Sequence, residues 1–162
     1  MEKSAVVLTL EAAFYIIRKT YTGGKKSMDI IEKVFDNHKK GFNCAQAIAC
    51  AYCGRFGIDE KTAFRMAEGL GFGMGAMEDC GAVTAMAMVT GMKESDGNLD
   101  SPGTKKICYG KVKKMIGEFK KKNGSIICSE LKGVETGTPL RGCGGCIKDA
   151  VIIIEENLFA SE

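Results

Sequence analysis

The chain is poor in several residue types. It has one histidine, two prolines and no tryptophan, and neither charge sign dominates. With 23 basic residues against 20 acidic ones the formal net charge is +3, too small an excess to argue for a nucleic-acid partner. Two prolines and 21 scattered glycines without a G-X-Y period exclude a collagen-like chain. No run of about 20 apolar residues occurs, so no membrane-spanning helix is expected. Hydrophobic residues at 45% and charged residues at 27% describe a folded globular chain, not a disordered one. At 162 residues the chain is one ordinary domain. Burying roughly two-thirds of its unfolded surface gives such a domain a core without covalent staples.

Against these shortages stand eight cysteines. Secreted disulfides are the first reading to test, and they require a signal peptide. Lys3 could open one and Ala5 to Leu10 is apolar, but Glu11 interrupts the run and no A-x-A-like cleavage site follows. The expected location is therefore cytoplasmic, where thiols stay reduced unless they work. The cysteines are then metal ligands, redox groups or buried side chains.

Two stretches differ along the chain. In residues 1–27, Val6, Leu10, Ala13 and Ile17 fall at helical spacing, and TYTGGKKS then breaks the pattern. This part reads as an N-terminal extension with a short helix, or as sequence ahead of an internal start at Met28. Residues 28–162 read as the working domain, helical throughout. Ile30, Ile31, Val34 and Phe35 form one stripe that Gly41 ends. Asn43 to Phe56 is a second helix, with Asn43 and Gln46 as a capping-box variant. Asp59 caps a third, carrying Ala63, Met66, Ala67 and Leu70 inward. The glycine-rich GLGFGMGAMED leads to a helix over 80–92 with the small face Ala82, Ala85, Met86 and Val89. Another helix runs from about Thr104 to Lys122, its lysines a solvated face because no aromatic platform interleaves them. GSIICSEL is a short irregular or helical piece, and a last helix runs from about Cys146 to Leu158. The expected architecture is an all-α, single-domain bundle of five or six helices. The breadth of the last helix and the apolar residues of 1–19 are compatible with a homodimer.

Four cysteines share a position type. Cys44, Cys80, Cys128 and Cys146 each stand at or near an expected helix start, where unpaired N–H groups and a partial positive charge favour a thiolate. A thiolate is both nucleophile and metal ligand, so position alone does not separate those roles. Cys50, Cys53 and Cys108 lie within helices and read as small buried hydrophobes. Cys143 makes a C-x-x-C with Cys146, but no βαβ pattern surrounds it, and it reads as a spare thiol. Neither C-x-x-C pair is followed by histidine, which excludes c-type haem attachment. The pairs 50/53 and 143/146 are a poor zinc knuckle, because one is embedded in a helix. His38 reads as an exposed residue at a helix end, with a Cys/His catalytic pair as the alternative. Gly69, Gly71, Gly73 and Gly75 follow a helix and miss the dinucleotide fingerprint; they read as letting backbone approach a sulfur cluster or another helix closely. Nine methionines beside the cysteines admit a Cu(I) reading, although methionine at helical spacing is ordinary core filler.

GFNCAQA, the glycine loop into EDCGAVTA, SIICSEL and CIKDAVIIIEENL together resemble the C_GCAxxG_C_C family of redox-active proteins. The resemblance covers about residues 28–158 and puts the family's cysteines on Cys44, Cys80, Cys128 and Cys146. Ala85 stands where the family's motif ends in glycine. The resemblance implies a redox role. A related domain in split-Soret cytochromes implies an iron–sulfur centre, here most simply [2Fe–2S] on the four cysteines, serving electron transfer to an unidentified partner or redox sensing. The residues leave three other readings open. One is a metal-free thiol–disulfide oxidoreductase or switch with Cys44 or Cys80 attacking. Another is a Zn or Cu(I) thiolate site. In the third, the cysteines only pack.

Overall fold

A computed structural model describes residues 15, 17–19 and 21–160. Val6, Leu10 and Ala13 of the N-terminal helix expected from periodicity lie outside the described residues. Ile17 of that pattern is described; it is helical and buried in the main core.

Among the described residues there is no β-strand; after the helical residues 15 and 17–19, seven α-helices follow one another: α1 (Lys25–Lys39), α2 (Cys44–Tyr52), α3 (Glu60–Glu68), α4 (Gly81–Glu94), α5 (Lys105–Asn123), α6 (Cys128–Lys132) and α7 (Cys143–Ile154). The expected count of five or six falls short by the five-residue α6, which is too short for any hydrophobic period to register. A 3₁₀ turn over Cys53–Phe56 continues α2 and a π turn over Glu155–Phe159 continues α7, while Gly73–Met77 is a wide turn with left-handed Met74 and Gly75 inside it.

Local chemistry sets most boundaries. The capping box at α2 is complete: the Gln46 N–H donates to Asn43 Oδ1 at 2.8 Å, and the Asn43 N–H donates to Gln46 Oε1 at 3.1 Å. Asp59 caps α3 by accepting from the Thr62 N–H at 3.1 Å. Gly41 (φ 96°) follows α1 and Gly124 (φ 85°) ends α5, both in the left-handed region that L side chains avoid. α7 starts at Cys143, three residues before the expected start, because Gly142 takes the N-cap and the helix runs through Gly144 and Gly145.

α2 is the centre of the bundle. Eight of its nine residues are buried, and it packs against α1, α3, α4 and α7. The alanines at 45, 47, 49 and 51 let these neighbours approach closely. α7 contributes Ile147, Ala150, Val151, Ile153 and Ile154 to the same core, with α4 and α5 against it. Each large aliphatic side chain buried there stabilises the fold by about 1.5–3 kcal/mol before ordering costs. Met66, expected on the inner stripe of α3, is instead 60% exposed; Ala63 and Ala67 are the buried residues of that helix, and Phe64 is partly buried beside them.

Buried charge, which the hydrophobic pattern does not predict, joins the ends of the fold. Glu155 accepts from the Tyr52 hydroxyl at 2.7 Å and from the Ser27 hydroxyl, and it pairs with Arg55 at 3.5 Å. Burial, reinforced by the Glu155 charge, pushes the Tyr52 phenol well above its ordinary range, so Tyr52 remains a donor. Asp149, fully buried on α7, pairs with Lys122 at 3.0 Å and Arg141 at 2.8 Å.

Candidate functional site: a cluster of five cysteines

Helix starts and glycine contacts bring distant cysteines together. Cys44 is the first residue of α2, Cys80 the N-cap of α4, Cys128 the first residue of α6 and Cys143 the first residue of α7. Cys146 lies one turn into α7 on the same face as Cys143. An antiparallel bridge between Asp79 and Ile127 fixes two of these segments side by side. The Cys80 N–H donates to the Ile126 carbonyl at 2.8 Å, and the Cys128 N–H donates to the Glu78 carbonyl at 2.6 Å.

Two glycines set the spacing. A Cβ at Gly81 would lie 3.1 Å from Cys44 Cβ and 3.1 Å from Gly71 Cα, and a Cβ at Gly73 would lie 2.9 Å from Cys128 Cβ. The glycine-rich stretch therefore works as close packing against the cysteine segments. The same loop holds Phe72 (φ 53°), Met74 (φ 55°) and Met77 (φ 59°) in left-handed conformations, each costing on the order of 1–3 kcal/mol.

The thiols interact in pairs. Cys44 hydrogen-bonds Cys143, and Cys80 hydrogen-bonds Cys146. The bridge between Asp79 and Ile127, with its two flanking hydrogen bonds, sets Cys128 beside Cys80 as the fifth member. In each pair one thiol is pushed down and the other up. The hydrogen bond from Cys44, together with nearby Lys132 and His38, brings Cys143 down to about 5 against the cost of burial. The hydrogen bond from Cys146 lowers Cys80, and the Ala82 and Val83 N–H groups at the start of α4 add to the effect. Cys44 and Cys146 are raised, first by holding the proton of that shared hydrogen bond and then by burial. Burial raises Cys128. In each pair the shared hydrogen bond favours the thiolate on one sulfur, Cys143 in the first and Cys80 in the second.

The surroundings fix the second pair. Cys146 Sγ lies 3.9 Å from the Arg141 carbonyl, and the Arg141 N–H donates to the Leu131 carbonyl at 3.0 Å. The Arg141 side chain pairs with the buried Asp149. One residue thereby ties α6, the loop before α7 and the Cys146 turn together.

All four cysteines singled out from helix starts enter the cluster. The description of Cys146 as the opening residue of its helix is corrected: Cys143 opens it, and Cys146 follows one turn later. Cys143, read from the sequence as a spare thiol, is a full member; its i, i+3 spacing from Cys146 at a helix start was the available signal. His38 is half-buried, not exposed, and its Nδ1 lies 3.0 Å from the Phe42 carbonyl. Cys50 and Cys53 occupy a separate small core with Ala63, and Cys108 lies half-buried on α5. Ala85, at the family's glycine position, is fully buried in α4.

The donor set can be weighed against an iron–sulfur group. Among the described residues, no set of three or more His, Cys, Asp or Glu side chains is arranged to hold a metal ion. A [2Fe–2S] group asks for two thiolates at each of two irons. The two thiol pairs supply that number of sulfurs. Among the described residues no helix is long and apolar enough to cross a membrane.

No curated protein and no solved structure matches the chain. The family model described as "Putative redox-active protein (C_GCAxxG_C_C)" matches residues 42–157, a span that takes in all five clustered cysteines, and the chain belongs to that family.

Proposed function

We propose that the chain is an electron-transfer protein whose two thiol pairs, Cys44 with Cys143 and Cys80 with Cys146, hold a [2Fe–2S] cluster. The observation that carries this reading is the pairing itself: two pairs of interacting thiols, converging from the starts of three helices. Such a cluster supplies one-electron chemistry at a potential tuned by charge, hydrogen bonds and solvent exposure. The chain's own part is to present four sulfurs as thiolates and to donate N–H groups to them at helix starts. Its packed loops also keep water from most of the site. The ligand set differs from the quartet drawn from the resemblance by Cys143 in place of Cys128. The test is a visible spectrum of protein purified without oxygen, with iron and acid-labile sulfide counted on the same sample. About two of each per chain is the expected result.

A second reading is favoured by the protonation pattern within each pair. A thiolate hydrogen-bonded to a thiol is also an attacking and resolving couple. The Cys143 thiolate would attack a partner's disulfide, expelling one partner thiolate. Cys44, having given up its proton, would then attack Cys143 Sγ, closing a disulfide and releasing the second partner thiolate. The protein loses two electrons and the partner gains them. Colourless protein without iron, carrying free thiols and a measurable dithiol potential, would select this reading over the first.

A further inference from the structure

Neither reading of the centre uses the buried carboxylate of Asp149. It is fully enclosed on α7, and neither of its oxygens accepts a hydrogen bond. Two cations hold it: Arg141 Nη2 at 2.8 Å and Lys122 Nζ at 3.0 Å. Desolvating a carboxylate offsets much of what such ion pairs return, and an apolar side chain of similar size would serve stability as well. The charge is better explained by what it holds in place.

What it holds is Arg141. Asp149 lies one turn beyond Gly145 and Cys146 on α7, on the face they share. The Arg141 side chain runs along that face. A Cβ at Gly145 would lie 2.5 Å from Arg141 Nε and 2.9 Å from its Cδ, and Nε itself is buried without a hydrogen-bond partner. A glycine inside a helix weakens it; here it leaves the slot through which the guanidinium reaches Asp149. The backbone of Arg141 is fixed as well. Its N–H donates to the Leu131 carbonyl of α6 at 3.0 Å, and its carbonyl lies 3.9 Å from Cys146 Sγ. Side chain and backbone together clamp the loop before α7 onto the turn that carries Cys146.

We propose that Asp149 is a positioning residue of the cysteine centre: by pinning Arg141 across Gly145 it keeps the Arg141 carbonyl at Cys146 and holds that thiol in place beside Cys80. The inference rests on Cys80 and Cys146 acting as a pair, which both readings above require, and it assigns the residue that keeps the pair together. Lys122 meets the same carboxylate from the end of α5 and supplies the control, because it takes a charge from Asp149 while leaving Arg141 in its slot.

The test follows iodoacetamide labelling of the metal-free full chain, peptide by peptide, as the ratio of the Cys146 rate to the Cys50 rate. Cys50 lies in the separate small core, so global loosening raises both rates and leaves the ratio alone. Asp149→Asn should raise the ratio by about threefold or more, through local opening at Cys146. Lys122→Gln should leave it unchanged. Gly145→Ala should raise it too, by driving Arg141 out of its slot, but should add nothing in an Arg141→Ala background, where no side chain crosses the glycine. The glycine comparison decides the matter if Asp149→Asn does not fold. An unchanged ratio in Asp149→Asn, an equal rise in Lys122→Gln, or the same effect of Gly145→Ala with and without Arg141 would overturn the proposal. On iron-containing protein, Asp149→Asn should speed the loss of the visible bands to a chelator, and Lys122→Gln should not; equal loss in both would count against the proposal. Iron is counted first, so a chain without iron marks failure of the electron-transfer reading, while the labelling ratio judges the role of Asp149 by itself.

Discussion

The chain contains two C-x-x-C pairs with opposite environments. Cys50 and Cys53 stand at the C-terminal end of α2, 0% and 2% exposed, packed with Ala63, Phe42, Ile58 and Phe64. Cys53 Sγ lies 3.2 Å from the Cys50 carbonyl and Cys50 Sγ 3.8 Å from the Glu60 carbonyl, so both thiols donate to carbonyls. Burial pushes Cys50 up to about 11 and raises Cys53 as well. Cys143 and Cys146 stand at the N-terminal end of α7, where N–H groups, Lys132 and two more thiols surround them. The spacing is the same, yet one pair is buried against carbonyls and the other stands beside further thiols. Helix polarity and partner thiols make the difference, not the motif.

The sharpest way to break this comparison is serine replacement. Cys44→Ser, Cys80→Ser or Cys146→Ser should remove most of the bound iron and the visible bands, read by metal analysis and absorbance. Cys50→Ser and Cys53→Ser should keep both. Full iron in the first set would make the two regions equivalent and end the account.

Next in size is alkylation of metal-free protein. Cys143, brought down to about 5, is almost wholly thiolate at pH 7, whereas Cys50 at about 11 is thiolate in only a small fraction. That fraction differs by about 10⁴, and the greater intrinsic nucleophilicity of the more basic thiol returns about 10²·⁷ of it. Cys143 should therefore label at least about tenfold faster, before burial slows Cys50 further. The sign with pH follows: the Cys143 rate is flat above neutrality and falls as pH drops through about 5, while the Cys50 rate climbs toward pH 11. Mass spectrometry of the labelled peptides reads both profiles.

A smaller contrast lies in the glycines beside each pair of segments. Gly73→Ala would drive a Cβ to 2.9 Å from Cys128 at a φ of 60° and should cost about 1–3 kcal/mol of stability. Gly54, next to Cys53, has open space around its Cβ position, so Gly54→Ala should be neutral or stabilising by up to about 1 kcal/mol. Urea unfolding of the two variants measures both.

Much of this architecture is legible in the order of the residues alone. The apolar stripes mark six of the seven helices, and Asn43 with Gln46 and Asp59 with Thr62 mark two of the starts that matter. Helix starts also point to Cys44, Cys80 and Cys128. What periodicity cannot show is α6, which is less than two turns long. Nor can it show the start of α7, because Gly144 and Gly145 read as loop while Gly142 supplies the cap. That displaced start hides Cys143. The Tyr52–Glu155 bond joins residues 103 positions apart, and only the folded bundle brings them together. The left-handed Phe72 and Met74 are hidden for another reason: their conformation is imposed by neighbours, not preferred by the residues.

The central claim is that the centre is built on two thiol pairs, with Cys143 a ligand and Cys128 a neighbour. Iron and acid-labile sulfide in Cys143→Ser beside Cys128→Ser, both purified without oxygen, test it most directly. The account predicts that Cys143→Ser loses most of its iron while Cys128→Ser keeps it. Retention in Cys143→Ser with loss in Cys128→Ser, or equal loss in both, would contradict the pairing.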